Sequence, residues 1–113
     1  MLLSGGNAFD AAAAAGFAAA VIEPTASYTL CGECVAMLYD PRSDRTVALS
    51  GQGPAPALAT IATLAKSGFP RIPTGPGPNA HLSFTVPGAV EAYLTLLETF
   101  GTRTIVEVLA PAL

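Results

Sequence analysis

At 113 residues the chain is long enough for one small domain. Its net charge of −3, with Arg42, Arg45, Lys66, Arg71 and Arg103 scattered rather than clustered, lacks the electrostatic footprint of nucleic-acid binding. Hydrophobic residues make up 51% and charged residues only 12%, about half the roughly 25% charged content of ordinary soluble chains, so the surface is under-supplied with charge.

That excess apolar character implies cover from the rest of a larger protein, a partner subunit or a membrane. A membrane-spanning helix is not expected. The longest apolar run, Ala11 to Ile22, lies between Asp10 and Glu23 and falls short of the ~20 residues a spanning helix needs. No Lys or Arg precedes Arg42, so no secretory signal is expected within these residues, and the sequence assigns no compartment.

After Gly5-Gly6, Asn7 is placed to cap a helix over Ala8 to Ile22, with Asp10 in the first turn, where the helix dipole favours negative charge. This helix has no polar face and is expected to be buried on most sides, with Gly16 at a close contact. Pro24 ends it. Cys34 to Tyr39 is a continuous apolar run, Asp40 to Asp44 a turn, and Arg45 to Ser50 a strand with Val47 and Leu49 alternating. Together they predict an antiparallel hairpin whose first strand is buried on both faces. Gly51 to Pro56 is a loop, and a short helix from about Leu58 to Ser67 stops at Gly68.

Phe69 to Ala80, with four prolines, reads as an irregular surface loop. Leu82 to Val86 is expected to be extended and Pro87-Gly88 to turn the chain. Ala89 to Phe100 is an amphipathic helix with Val90, Tyr93, Leu94 and Leu97 on one face. Thr102 or Thr104 caps a last helix through Ile105, Val108 and Leu109. The ending at Ala112-Leu113 is still apolar, which reads as a chain continuing into something longer. This order defines an α+β fold, helices against an antiparallel sheet, over residues 1–113 as one partial domain.

Several segments resemble one family. Gly5-Gly6-Asn7-Ala8-Phe9-Asp10-Ala11-Ala12, Val21-Ile22-Glu23-Pro24, Val35-Ala36-Met37-Leu38-Tyr39-Asp40, Ala55-Pro56-Ala57, Val86-Pro87-Gly88-Ala89-Val90, Phe100-Gly101-Thr102 and Leu109-Ala110-Pro111-Ala112 are similar, in order and spacing, to the opening of the γ-glutamyltransferase large subunit. The resemblance implies an N-terminal-nucleophile hydrolase fold, a four-layer αββα sandwich of which this chain is a partial fragment. It implies a precursor that cleaves itself before a Thr lying beyond Leu113, whose hydroxyl attacks a γ-glutamyl carbonyl with its own α-amino group as base. No catalytic residue is carried over to this chain, and no metal or organic cofactor is implied. The implied partners are the remaining large- and small-subunit portions of the same precursor and a small γ-glutamyl or acyl amide substrate.

The resemblance also implies an Arg shortly before Ala-Pro-Ala that grips the substrate α-carboxylate. Counting back from Ala55 puts Gln52 there. An amide offers neutral donors where a guanidinium offers a charged fork, so this departure points toward less typical, acylase-like relatives. Cys31-Gly32-Glu33-Cys34 is a second departure, standing where a glycine-rich run is usual.

Cys31-x-x-Cys34 has the spacing of a redox pair, but a strand rather than a helix follows it, so buried or incidental thiols are the reading adopted. A metal site lacks ligands beyond the single His81, which reads as a surface residue. Gly51-Gln52-Gly53 has no Lys-Ser/Thr successor and is not a phosphate loop. Glu91, Glu98 and Glu107 read as solvent charges, and Glu23 as a hydrogen-bonding group at a helix end. The competing reading is a non-catalytic α+β interaction domain that oligomerises through its apolar surface.

Overall fold

The amino-terminal half is organised by α1 (Ala8–Ile22), which begins as the sequence dictates. Asn7 Oδ1 accepts from the backbone N–H groups of Phe9 and Asp10, both at 2.9 Å, and Asp10 Oδ2 accepts from Asn7 N at 2.8 Å, completing a capping box. The computed structural model describes all 113 residues, which form two compact units: Met1–Gln52 with Pro87–Leu113, and Gly53–Val86. Helix and antiparallel strand are mixed, in keeping with the α+β class.

In the first unit, α1 packs on α3 (Ala89–Phe100) and on α4 (Ile105–Leu109). Ala13, Ala14, Phe17, Ala89, Tyr93, Leu96, Leu97 and Val108 form the core. Gly16 is the closest approach: a Cβ there would lie 2.5 Å from Tyr93 Cζ, so only glycine lets the ring seat edge-on against Phe17 at 5.1 Å between centroids. Phe9 and Phe100 pair at 5.0 Å. The expectation that α1 is buried on most sides is corrected. Asp10, Ala13, Ala14, Phe17 and Ala20 are covered, while Ala12, Ala15, Val21 and Ile22 face outward, because α3 and α4 contact one side only. The buried face of α3 is likewise turned from the one expected. Ala89, Ala92, Tyr93, Leu96 and Leu97 are buried and Val90 and Leu94 half-buried, since small Ala89 and Ala92 permit the closest approach.

Strands β1 (Val35–Asp40) and β2 (Arg45–Ser50) form the expected hairpin, in register from Val35 opposite Ser50 to Asp40 opposite Arg45. The turn is held by the buried Asp40 carboxylate, which accepts from Ser43 Oγ at 2.8 Å and from Arg42 N and Nε at 3.1 Å. These hydrogen bonds, Ser43's foremost, hold the Asp40 carboxyl below the ordinary range against the upward push of its burial. Asp44 takes a left-handed φ of 52°, which aspartate tolerates in such turns.

The expectation that β1 is buried on both faces is overturned. Ala36 and Leu38 turn toward the helices, but Val35, Met37 and Tyr39 are 65%, 80% and 57% exposed. A two-stranded sheet backed by helices on one side leaves its alternate side chains open.

Of the two candidate caps for α4, Thr104 is the one used. Its Oγ1 accepts from Glu107 N at 3.3 Å while Glu107 Oε2 accepts from Thr104 N at 2.8 Å, so Glu107, although exposed, completes a capping box. Thr102 instead spends its hydroxyl on Asp10.

In the second unit the short helix, α2 (Ile61–Lys66), starts later than expected because Thr60 captures the cap, accepting from Thr63 N at 3.1 Å. It closes as expected at Gly68 (φ +82°), with Gly68 N donating to Ala65 O and Phe69 N to Leu64 O, both at 3.0 Å. Leu82 to Val86 is not the extended segment anticipated. Ala80–Ser83 is a 3-10 turn, and Val86 N donates to Pro54 O at 3.0 Å with no ladder around it. Pro54 has no N–H to return the bond. No helix of the structure is long and apolar enough to cross a membrane.

Candidate functional site

The site grows from the open end of the hairpin. One step beyond the Val35–Ser50 pair, Gly51 N donates to Cys34 O at 2.6 Å and Cys34 N to Gly51 O at 3.4 Å, extending the antiparallel pairing. Cys34 packs toward the core and Gly51 is buried against α3, where a Cβ would meet that of Ala92 at 2.5 Å. The next residues out, Glu33 and Gln52, therefore fall opposite one another on the other face, the one carrying Val35, Met37 and Tyr39. Their side chains meet: Gln52 Nε2 donates to Glu33 Oε2 at 3.3 Å, and both are solvent-exposed.

Backbone bonds hold Glu33 in place. Its own N–H donates to Ser27 O at 2.9 Å, and the carbonyl of the preceding Gly32 accepts from Gly88 N and Ala89 N at the start of α3, both at 3.1 Å. Gly32 has to be glycine, since a Cβ would overlap the Ser27 carbonyl. The Val-Pro-Gly-Ala turn at 86–89 thus supplies, through Gly88 and Ala89, the donors that anchor the turn bearing Glu33.

Beneath this pair, burial pushes the Cys34 thiol up, partly offset by the neighbouring Tyr93 hydroxyl. Burial likewise raises Tyr93, and the nearby Cys34 adds to it. Cys31 is exposed and Cys34 half-buried, both as free thiols. His81 is exposed, with Nδ1 3.1 Å from Pro78 O. Glu23 receives the Tyr28 hydroxyl, a bond that raises Tyr28, and its backbone N–H closes α1 on Ala19 O. Glu91 and Glu98 are exposed on α3.

Two surface grooves lie away from Gln52. One of about 400 Å³ is lined by Met1, Leu2, Leu3, Ala14, Ala18 and Pro111, among others. The other, of about 390 Å³, lies near the hairpin turn and includes Phe9, Tyr39, Arg42 and Phe100.

Sequence reasoning missed two residues. Glu33 was read only as part of the Cys-x-x-Cys segment, although continuing the hairpin register from Asp40–Arg45 outward would have set it across from Gln52. Asp10 was read as a first-turn charge. It is fully buried and joins the two ends of the first unit, accepting from Thr102 N at 2.9 Å, Thr102 Oγ1 at 2.7 Å and Arg103 N at 3.1 Å as well as from Asn7 N. Burial alone would raise its pKa, but these hydrogen bonds outweigh it and hold the carboxyl below its ordinary value.

An alanine-rich capped helix packed on α3, with α3 meeting β2 of an antiparallel hairpin whose open end carries a polar pair, defines an α+β domain with one open sheet face. More specifically, the chain belongs to the gamma-glutamyltranspeptidase family, whose model matches residues 1–113. It is similar to the glutathione hydrolase proenzyme of Bacillus subtilis, 31% identical over all of this chain and 19% of that protein. Among solved structures, it is 34% identical to Helicobacter pylori gamma-glutamyltranspeptidase with a TM-score of 0.80, covering 98% of this chain and 31% of that one. The cephalosporin acylase of Bacillus halodurans is 32% identical with a TM-score of 0.85, over 98% of this chain and 20% of its own. The chain spans about a fifth of the length of the curated relatives it matches.

Proposed function

We propose that this chain forms one side of the acyl-binding pocket of an enzyme that hydrolyses or transfers a γ-glutamyl or related acyl group from an amide, with a Thr nucleophile outside these 113 residues. In that reaction the Thr hydroxyl attacks the amide carbonyl, its proton passes to the departing amine, and the acyl ester is then resolved by water or an acceptor amine. The remaining large- and small-subunit portions of a common precursor complete an αββα sandwich by covering the open sheet face.

The observation that carries this reading is the location of Gln52, at the hairpin's open end on the face bearing Val35, Met37 and Tyr39. A second sheet laid on those side chains would put Gln52 at the margin of the intersheet space, open to a substrate. Family membership supports the reaction class, and the similarity to both a gamma-glutamyltranspeptidase and a cephalosporin acylase supports an acyl amide as substrate.

The test is to assay the full-length protein against a γ-glutamyl anilide and an unrelated acyl anilide in parallel. Release of the aniline from either supports the reading, and equal inertness toward both contradicts it. The exposed row of Val35, Met37 and Tyr39 also suits a non-catalytic module that self-associates. That reading requires concentration-dependent association, abolished by Met37→Lys, in a protein that turns over neither anilide.

A further inference from the structure

We propose that Glu33 acts with Gln52 to set acyl specificity, selecting an acyl chain that bears an uncharged hydrogen-bonding group, such as a carboxamide, where a γ-glutamyl group bears its α-carboxylate. The inference deepens the acyl-transfer reading and rests on its assignment of Gln52 to substrate.

Three observations lead to it. First, Gln52 is not free: one N–H of its amide is engaged by Glu33 Oε2 at 3.3 Å, leaving one N–H and the Oε1 acceptor for a ligand. Second, the contact is built into the fold rather than being a chance meeting of surface side chains. The hairpin register sets the two residues opposite each other, and the Gly32 and Glu33 backbone is fixed by Ser27 O and by the first N–H groups of α3. Third, the charge at this point is not balanced from within its unit. The unit's three basic residues are engaged or placed elsewhere: Arg42 pairs with Asp40 at the hairpin turn, Arg103 pairs with Glu107, and Arg45 stands opposite Asp40 at the far end of the strands.

A substrate carboxylate arriving at Gln52 would meet one neutral donor and the Glu33 carboxylate, an arrangement that repels it. A carboxamide meets complementary partners, donating to the open Glu33 oxygen and to Gln52 Oε1 while accepting from the remaining Gln52 N–H.

The experiment measures kcat/KM of the full-length protein on three anilides: γ-glutamyl, the same compound with its α-carboxylate converted to a carboxamide, and unsubstituted glutaryl. The wild type is expected to prefer the carboxamide over the carboxylate about tenfold, the order set by a like-charge contact near a solvated surface. Glu33→Gln, an isosteric change at an exposed position, should lower that ratio at least fivefold. Glu33→Gln combined with Gln52→Arg should invert it.

A wild-type preference for the carboxylate overturns the proposal. A ratio unmoved by Glu33→Gln but changed by Gln52→Ala overturns the role of Glu33 and leaves Gln52 at the substrate. A ratio moved by neither removes Gln52 as well. Turnover of none of the three overturns the acyl-transfer reading and this inference together.

Discussion

Replacing Asp10 with asparagine tests what closes the first unit. The carboxylate accepts four hydrogen bonds, two at each oxygen: Thr102 N and Arg103 N at Oδ1, and Asn7 N and Thr102 Oγ1 at Oδ2. An asparagine keeps one oxygen and sets an NH₂ group against the donors of the other. Two bonds to a charged acceptor, each contributing about 1.5–3 kcal/mol, are lost, and the rotatable Thr102 hydroxyl can recover one of them by accepting from the new amide. The expected net destabilisation is about 2–4 kcal/mol, read from urea denaturation of the full-length protein followed by a probe in this unit.

The effect carries a pH signature. Asp10 has its folded pKa lowered below the ordinary 3.8, so its stabilisation is fully present above that value and is lost as pH falls through the folded pKa. The gap between wild type and Asp10→Asn should therefore be constant from pH 5 to 7 and narrow below about pH 4. A variant within about 0.5 kcal/mol of wild type at pH 7, or a gap that does not narrow in acid, refutes the reasoning.

Gly16→Ala would gain about 1 kcal/mol of helix propensity in an exposed helix, yet with its Cβ 2.5 Å from Tyr93 Cζ it should instead destabilise by about 1–3 kcal/mol; a more stable variant by urea titration would contradict the packing described. Native-state alkylation at pH 8, followed by mass spectrometry, should modify the exposed Cys31 first and reach Cys34 quickly only in denaturant, because burial raises the Cys34 thiol. Equal rates at both, or ready oxidation of the native pair, would restore a redox role.

Much of the fold was legible because local rules and tertiary demands agree. Asn7 before an alanine run, Asp40 to Asp44 between two strand patterns, and Gly68 after α2 each specify a backbone event that neighbours in sequence complete on their own. What escaped depends on partners far along the chain. The Asp10 carboxylate finds three of its four donors, on Thr102 and Arg103, about 92 residues away, a pairing with no periodic signal. The face chosen by α3 turns on Gly16 and Gly51 admitting Tyr93 and Ala92, so Leu96 is buried where the apolar pattern favoured Leu94.

The hairpin misled in an instructive way. Unbroken apolarity from Cys34 to Tyr39 implies cover on both faces, yet the face carrying Val35, Met37 and Tyr39 is open in this chain. The position of Gln52 is counted back from the Ala-Pro-Ala segment that follows it, whereas its contact with Glu33 required the register of the strands.

The central claim is that this segment shapes an acyl pocket whose nucleophile lies outside it. Its most direct test is peptide mapping of the full-length protein quenched during turnover of an acyl anilide. A stoichiometric acyl adduct is expected on a threonine outside residues 1–113, and none on this segment. An adduct on Cys31 or on any threonine between Thr25 and Thr104 would contradict it.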